Sequence, residues 1–270
     1  MNCFLVLAPL IIFRRLALAA LVLIAPAYLL ASPVFNNISD DDLKQIVRDF
    51  SAVVNHTSVS PASSLGRIFG FEIGLVGGMT KTPEVDRISK DVDPNSSLSS
   101  LPHGGLLGRL TMPLGFSGEI VLLPSFKSDD IDVRNNSIAG MWTFSDLYSM
   151  PVDAAVKLSV TKSDFSFTQD FPVAGTKVEY DSAVTMLSGW VSRSFILVEP
   201  YAGFGLVRAS AEVSSTDSIF TGSSLNQKAS ETGTMFALGA NLNLIVFKAG
   251  LELSRVFGND KYTGKISFYF

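Results

Sequence analysis

From residue 66 to the C-terminus, apolar and polar positions alternate along the chain. Phe69, Phe71, Ile73 and Leu75 interleave with Ile68, Gly70, Glu72 and Gly74. Leu106, Gly108, Leu110 and Met112 interleave with Arg109 and Thr111, and Ile120, Leu122, Pro124 and Phe126 with Glu119 and Ser125. Val152, Ala154, Val156, Leu158 and Val160 oppose Asp153, Ala155, Lys157, Ser159 and Thr161. Val178, Tyr180, Val184 and Met186 oppose Lys177, Glu179 and Asp181, and Phe247, Ala249, Leu251 and Leu253 oppose Lys248, Gly250 and Glu252. Successive side chains of a strand point to opposite faces, so each stretch is predicted as a strand with one greasy face and one polar or small face. Further strands around 138–144, 195–209, 234–244 and 261–270 bring the expected number to about ten, within a range of roughly 8 to 12.

Before residue 66 the period is helical. Leu43, Ile46, Val47, Phe50, Val53 and Val54 make one stripe, which predicts a helix over 40–56. Ser39 is placed to cap it, Asp40 to Asp42 suit the positive end of its dipole, and Ile38 can staple onto Leu43. The helix is expected to rest on the periplasmic rim or to lie inside the sheet's enclosure, with a plug or gate as its functional reading. Long connections are expected at 80–103, 127–136, 162–175 and 212–231. Short turns are expected at 113–117, 145–151, 189–194 and 244–246.

That sorting of long and short connections is the organisation of an antiparallel up-and-down transmembrane β-barrel with both strand ends on one side. In hydrocarbon every unpaired backbone group costs several kcal/mol, so a sheet can cross a bilayer only when its edges close on each other. The greasy faces then meet lipid and the charges turn inward. Lumen-lining candidates are Glu72, Arg109, Glu119, Asp153, Lys157, Glu179, Glu199, Lys248 and Glu252. Buried charges need partners, so these are read as a paired polar filling in preference to the lining of a narrow cation-preferring pore. Trp142, Tyr148, Trp190, Tyr262 and Tyr269 are candidates for interfacial girdles.

Composition agrees with dispersed hydrophobicity. The chain is 47% hydrophobic with a mean hydropathy of +0.34, yet beyond residue 31 no stretch is long and apolar enough for a spanning helix. Residues 1–31, with Arg14-Arg15 before LALAALVLIAPAYLLA, are read as a cleaved secretory leader, with cleavage after Ala31 or after Ala27. Residues 32–65 then form a periplasmic or plug segment and residues 66–270 the barrel. The only cysteine, Cys3, falls in the leader, so no disulfide or cysteine metal site is expected. Removing Arg14 and Arg15 takes the formal net charge from −4 to −6, which argues against nucleic acid as a partner.

The last face, Tyr262, Gly264, Ile266, Phe268 and Phe270, resembles the C-terminal signal by which bacterial outer-membrane proteins are recognised by the barrel assembly machinery. VEPYAGFGL, Val198 to Leu206, resembles a strand often seen in such barrels. The whole mature chain is similar to Gram-negative outer-membrane β-barrels. Its short N-terminal helix followed by GFEIGLVGG, Gly70 to Gly78, is loosely similar to the arrangement in transporters of fatty acids and other hydrophobic compounds. The resemblance implies location in the outer membrane, lipid as the surrounding partner, and a structural, surface or narrow passive-channel role. Its alternative is uptake of a small hydrophobic ligand, with the helix as hatch.

Enzymatic chemistry is the third reading, as an outer-membrane lipid hydrolase built on His103 in LPHGG; His56 is the other histidine. No catalytic residue is assigned and no enzyme is expected. Asp91, Asp93 and Asn95 begin like a calcium loop, but the sixth position lacks glycine and Pro102 stands where the bidentate glutamate belongs. Gly203 and Gly205 lack the third glycine of a dinucleotide loop and lie in a strand, so neither cofactor nor metal is expected.

Overall fold

The computed structural model describes residues 34–270, except 67, 129–130, 149, 170–174 and 222–224. The leader expected over 1–31 lies outside the described residues.

Ten strands close on themselves in the order β1-β10-β9-β8-β7-β6-β5-β4-β3-β2, every neighbour antiparallel. They are β1 (Gly70–Lys81), β2 (Ser100–Thr111), β3 (Phe116–Ser128), β4 (Ile131–Thr143), β5 (Asp153–Gln169), β6 (Thr176–Ser192), β7 (Val198–Ser215), β8 (Asn226–Leu244), β9 (Phe247–Val256) and β10 (Asn259–Tyr269). Phe71 and Phe270 exchange backbone hydrogen bonds at 2.9 and 2.8 Å, which seals the seam between first and last strands. Closure leaves the sheet without an edge.

Among the described residues three α-helices accompany the barrel: α1 (Asp40–Val54), α2 (Pro83–Val92) and the single turn α3 (Ser145–Tyr148). α1 begins as its sequence asks. The Asp42 amide donates to Ser39 Oγ at 3.1 Å and the Ser39 amide to Asp42 Oδ2 at 3.4 Å, a reciprocal cap. Its apolar stripe, Leu43, Ile46, Val47, Phe50 and Val53, is buried. α2 occupies the connection 82–99, where a plain long loop is expected from the sequence.

At one end the connections are 112–115, 144–152, 193–197 and 245–246; the start of β1 and the end of β10 lie there too. At the other end are 82–99, 129–130, 170–175, 216–225 and 257–258. We call these the turn end and the loop end. All four long connections are shorter than the sequence suggests: 80–103 is trimmed to 82–99, 212–231 narrows to 216–225 as β7 and β8 run on, and the other two shrink further. Residues 127–136 are largely strand, joined across 129–130, because β3 and β4 continue upward as a hydrophilic ribbon whose polar side chains read as loop. The same extension shortens 162–175. The hairpin between β9 and β10 turns on Phe257 and Gly258, both at positive φ (53° and 92°), the pairing that a tight two-residue hairpin requires.

β5 to β8 contain 17 to 19 residues, roughly 60 Å of extended chain. Even tilted by about 45° they outreach an apolar band of about 25 Å. The consequence is visible along β6. Near the turn end Leu187 and Val191 face outward at 52% and 50% exposure, while Ser188, Trp190 and Ser192 face in. Toward the loop end Lys177, Glu179 and Asp181 face outward, while Val178, Tyr180, Val184 and Met186 face in. The expected register of β6 is therefore inverted: its greasy residues near the loop end line the interior, not the lipid. Above the band water is outside and α1 is inside, so polarity reverses. Arg134, Lys162, Asp164 and Arg208 face outward on the neighbouring strands.

Candidate functional site

The lumen is the site, and residues 34–66 fill it. α1 sits at the loop end. Its Phe50 packs on Phe165 and Tyr180 with ring centroids 5.7 and 5.1 Å apart, and Phe35 meets Phe167 edge-on at 5.9 Å. No basic residue lies in its last turn, and the barrel wall supplies one instead. Lys261 Nζ on β10 donates to the carbonyls of Ala52, Val53 and Asn55 at 3.1, 3.2 and 3.0 Å, satisfying the orphan acceptors at the helix's negative end.

α1 in turn caps α2. Thr82, the residue before α2, makes no side-chain cap, and the amides of Glu84 and Val85 donate to Asp49 Oδ2, both at 2.9 Å. Asn259 Nδ2 of β10 donates to the other Asp49 oxygen at 2.9 Å. Burial pushes the Asp49 carboxyl up to about 6, against the opposing pull of these hydrogen bonds.

Beyond Asn55 the segment runs without regular secondary structure through a belt of alternating charge. Lys265 Nζ lies 2.8 Å from Glu72 Oε1, and Glu72 is the cross-strand neighbour of Arg109. Arg109 Nε lies 3.4 Å from Glu119 Oε1, and Lys157 Nζ 2.9 Å from Glu119 Oε2. Across the lumen Tyr201 donates to Glu252 at 3.0 Å and Ser192 to Glu199 at 2.9 Å, while the Lys248 ammonium lies 4.4 Å from the centroid of the Tyr269 ring. The segment threads this belt: Lys157 donates to Ser58 Oγ at 3.0 Å and Arg109 Nη2 to the Ser63 carbonyl at 2.8 Å.

Of the nine lumen candidates, Glu72, Arg109, Glu119, Lys157, Glu199, Lys248 and Glu252 are buried in this interior. Asp153 is half-buried at the turn end of β5. Glu179 lies on the outside, paired with Lys177, as a result of the β6 reversal. Tyr262, Gly264, Ile266, Phe268 and Phe270 share the outer face of β10. Trp142, Tyr148 and Tyr262 are exposed, but Trp190 is inside. Its indole covers Gly203, where a Cβ would lie 2.6 Å from the ring, so this glycine is needed for close approach. Tyr269 also turns inward, under Lys248.

Three site residues escaped the sequence. Lys261 and Lys265 alternate with the aromatic face of the last strand, so the same period that exposed one face held the signal for the other. His56 is the third. Its Nε2 lies 3.1 Å from Glu119 Oε2 and its Nδ1 2.8 Å from Ser137 Oγ. With Nε2–H donating to the carboxylate, Nδ1 accepts from the serine hydroxyl. These are the residue types of a hydrolytic triad, but the adjacent space, lined by His56, Ser58, Lys157 and Glu252 among others, is about 10 Å³, the size of one water. Moving the segment aside to admit an acyl chain would carry His56 away from Ser137. His103 lies between the hydroxyls of Thr80 and Thr263, 2.9 Å from each. Among the described residues no group of three histidine, cysteine or acidic side chains is disposed to hold a metal.

An even-numbered, edgeless antiparallel sheet with an apolar outer band and a paired polar interior is the architecture of a transmembrane β-barrel. No protein-family model matches the sequence, and no curated protein matches it. Among solved structures the chain is similar to Ail, the attachment invasion locus protein of Yersinia pestis, at 15% identity and a TM-score of 0.33, covering 75% of this chain and 97% of that one. It is similar to the translocator domain of the autotransporter NalP from Neisseria meningitidis at 8% identity and a TM-score of 0.46, covering 85% and 94%. A third similarity is to the toluene transporter TbuX of Ralstonia pickettii, at 8% identity and a TM-score of 0.29, covering 82% and 97%. At TM-scores below 0.5 these likenesses carry no function to this chain.

Proposed function

We propose that the protein is a closed outer-membrane barrel with a structural or surface role, stoppered by its own N-terminal segment, and not an enzyme. The leader 1–31 directs export, residues 32–65 are the stopper, and residues 66–270 are the barrel, with its loop end outward. The single supporting observation is the belt: Arg109 and Lys157 each bind both a wall glutamate and the segment, so the charges that could line a pore are engaged in holding the stopper. Purified protein in planar bilayers is expected to give no sustained conductance; stable open-pore steps would overturn the reading. The barrel assembly machinery is the partner for Tyr262 to Phe270, and removing Phe270 is expected to slow insertion while secretion continues.

A second reading, uptake of a small hydrophobic compound with α1 as hatch, is favoured by the apolar seat of that helix. Phe167, Val178, Tyr180 and Val213 would form an open greasy cup were α1 to leave. Ligand-dependent change in proteolysis of α1 is its test, and indifference to every hydrophobic ligand would remove it.

A further inference from the structure

The stopper is not a blind inward fold; it crosses the membrane once more. Its first described residues bind the loop end. The Val34 amide donates to Ser89 Oγ of α2 at 3.2 Å, and Phe35 exchanges two 2.9 Å hydrogen bonds with the side chain of Gln169, the last residue of β5. Ile38 bridges in parallel to the β7–β8 connection, its amide donating to Ile219 at 2.8 Å and its carbonyl accepting from Thr221 at 2.9 Å. Arg48 meets Glu231 at the loop end of β8 at 2.7 Å. Midway Ser58 touches Lys157. The last residues bind the turn end: Thr143 Oγ1, at the close of β4, donates to the Ala62 carbonyl at 2.6 Å, and the Leu65 amide donates to Thr111 Oγ1, at the close of β2, at 3.2 Å.

The chain thus descends from loop end to turn end inside the lumen and only then begins β1. With ten strands the C-terminus returns to the turn end, so Phe270 and Val34 lie on opposite sides of the membrane. We infer that the barrel passes its own N-terminal segment outward through its lumen and displays Asn36 and Asn37 on the cell surface, with Phe35 buried against β5 and Ile38 against the β7–β8 connection. The cargo is a polypeptide, without regular secondary structure over 55–66 where the ionic belt narrows the passage and helical only in the apolar mouth above. The inference rests on the loop end facing outward, as proposed above.

Single cysteines in a Cys3→Ser background test both claims separately with a membrane-impermeant maleimide applied to intact cells. Asn36→Cys probes the segment, Ser97→Cys the β1–β2 connection at the loop end, and Ser194→Cys the turn end; all three positions are exposed. The expected result is labelling of Asn36→Cys as strong as that of Ser97→Cys, with loss of label at Ser194→Cys until the outer membrane is permeabilised. Label at Ser97 but not at Asn36 in intact cells would overturn the export inference and leave the barrel's orientation standing. Label at Ser194 but not at Ser97 would overturn both. Asp41→Cys, on the exposed first turn of α1, gives the same reading if Asn36→Cys fails to assemble.

Discussion

The two halves of the lumen hold the same segment by opposite means. Near the loop end α1 is packed dry: Leu43, Ile46 and Phe50 against Phe165, Val178, Tyr180 and Val213. Below it, residues 55–66 are held by Lys261, Lys157, Arg109 and Glu119, all buried and paired. The difference follows from what lies outside the wall. Within the hydrocarbon the outer face must be apolar, and the alternating strand leaves its polar residues for the interior. Above the hydrocarbon the outer face can be wetted, and the same strand is free to build an interior like that of a soluble protein. The protein is a membrane barrel in its lower part and a soluble sheet packed on a helix in its upper part.

The largest effects are expected where either half is cut at its centre. Glu119→Gln leaves Arg109 and Lys157 without their shared carboxylate and is expected to cost about 3–5 kcal/mol, read as a lower denaturant midpoint for the whole barrel. Phe50→Ala is expected to cost about as much, about 3–5 kcal/mol, but locally: protease reaches α1 while the barrel keeps its folded, heat-modifiable migration on gels. If both variants unfold the barrel in one transition, the two halves are a single cooperative unit and the contrast fails.

Lys261→Met leaves three carbonyls at the end of α1 unsatisfied and is expected to loosen the helix by about 1–3 kcal/mol, measured by amide exchange of residues 50–55. Acidity has a smaller and signed effect. Asp49 is raised to about 6 when seated, so its contribution to seating is fully present below its free value of 3.8 and is lost as pH rises through 6. Seating on this account is tighter by about 1 kcal/mol at pH 5 than at pH 7. Asp49→Asn is therefore expected to abolish this tightening in acid, read as amide exchange of α1 that no longer differs between pH 5 and pH 7 on this account. Glu179→Gln, on the wetted outer face, is expected to change neither midpoint nor seating; a shift in either would place Glu179 in the lumen after all.

The strand period made the barrel legible: alternation needs only local spacing, and it recovers ten strands and the outer face of β10. It misread β6 because Val178, Tyr180 and Val184 were assigned to lipid on the assumption that greasy means outward, which holds only inside the apolar band. The belt was legible as a set of inward charges, but its pairings join β10, β1, β2, β3 and β5 with Ser58 and Ser63, and no spacing encodes contacts between segments so far apart. Asp49 looked like one more polar position on an amphipathic helix. Its role depends on where the amides of Glu84 and Val85 arrive, which only the folded connection between β1 and β2 decides.

Lys261 and Asn259 belong to β10, the strand that closes the cylinder onto β1. Until that strand joins the seam, the carbonyl end of α1 has no ammonium to meet and Asp49 lacks its amide donor from the wall. The latch therefore closes only when the seam is sealed, which leaves an interval in which the segment is still free to travel and makes its arrest a sign that the cylinder is finished.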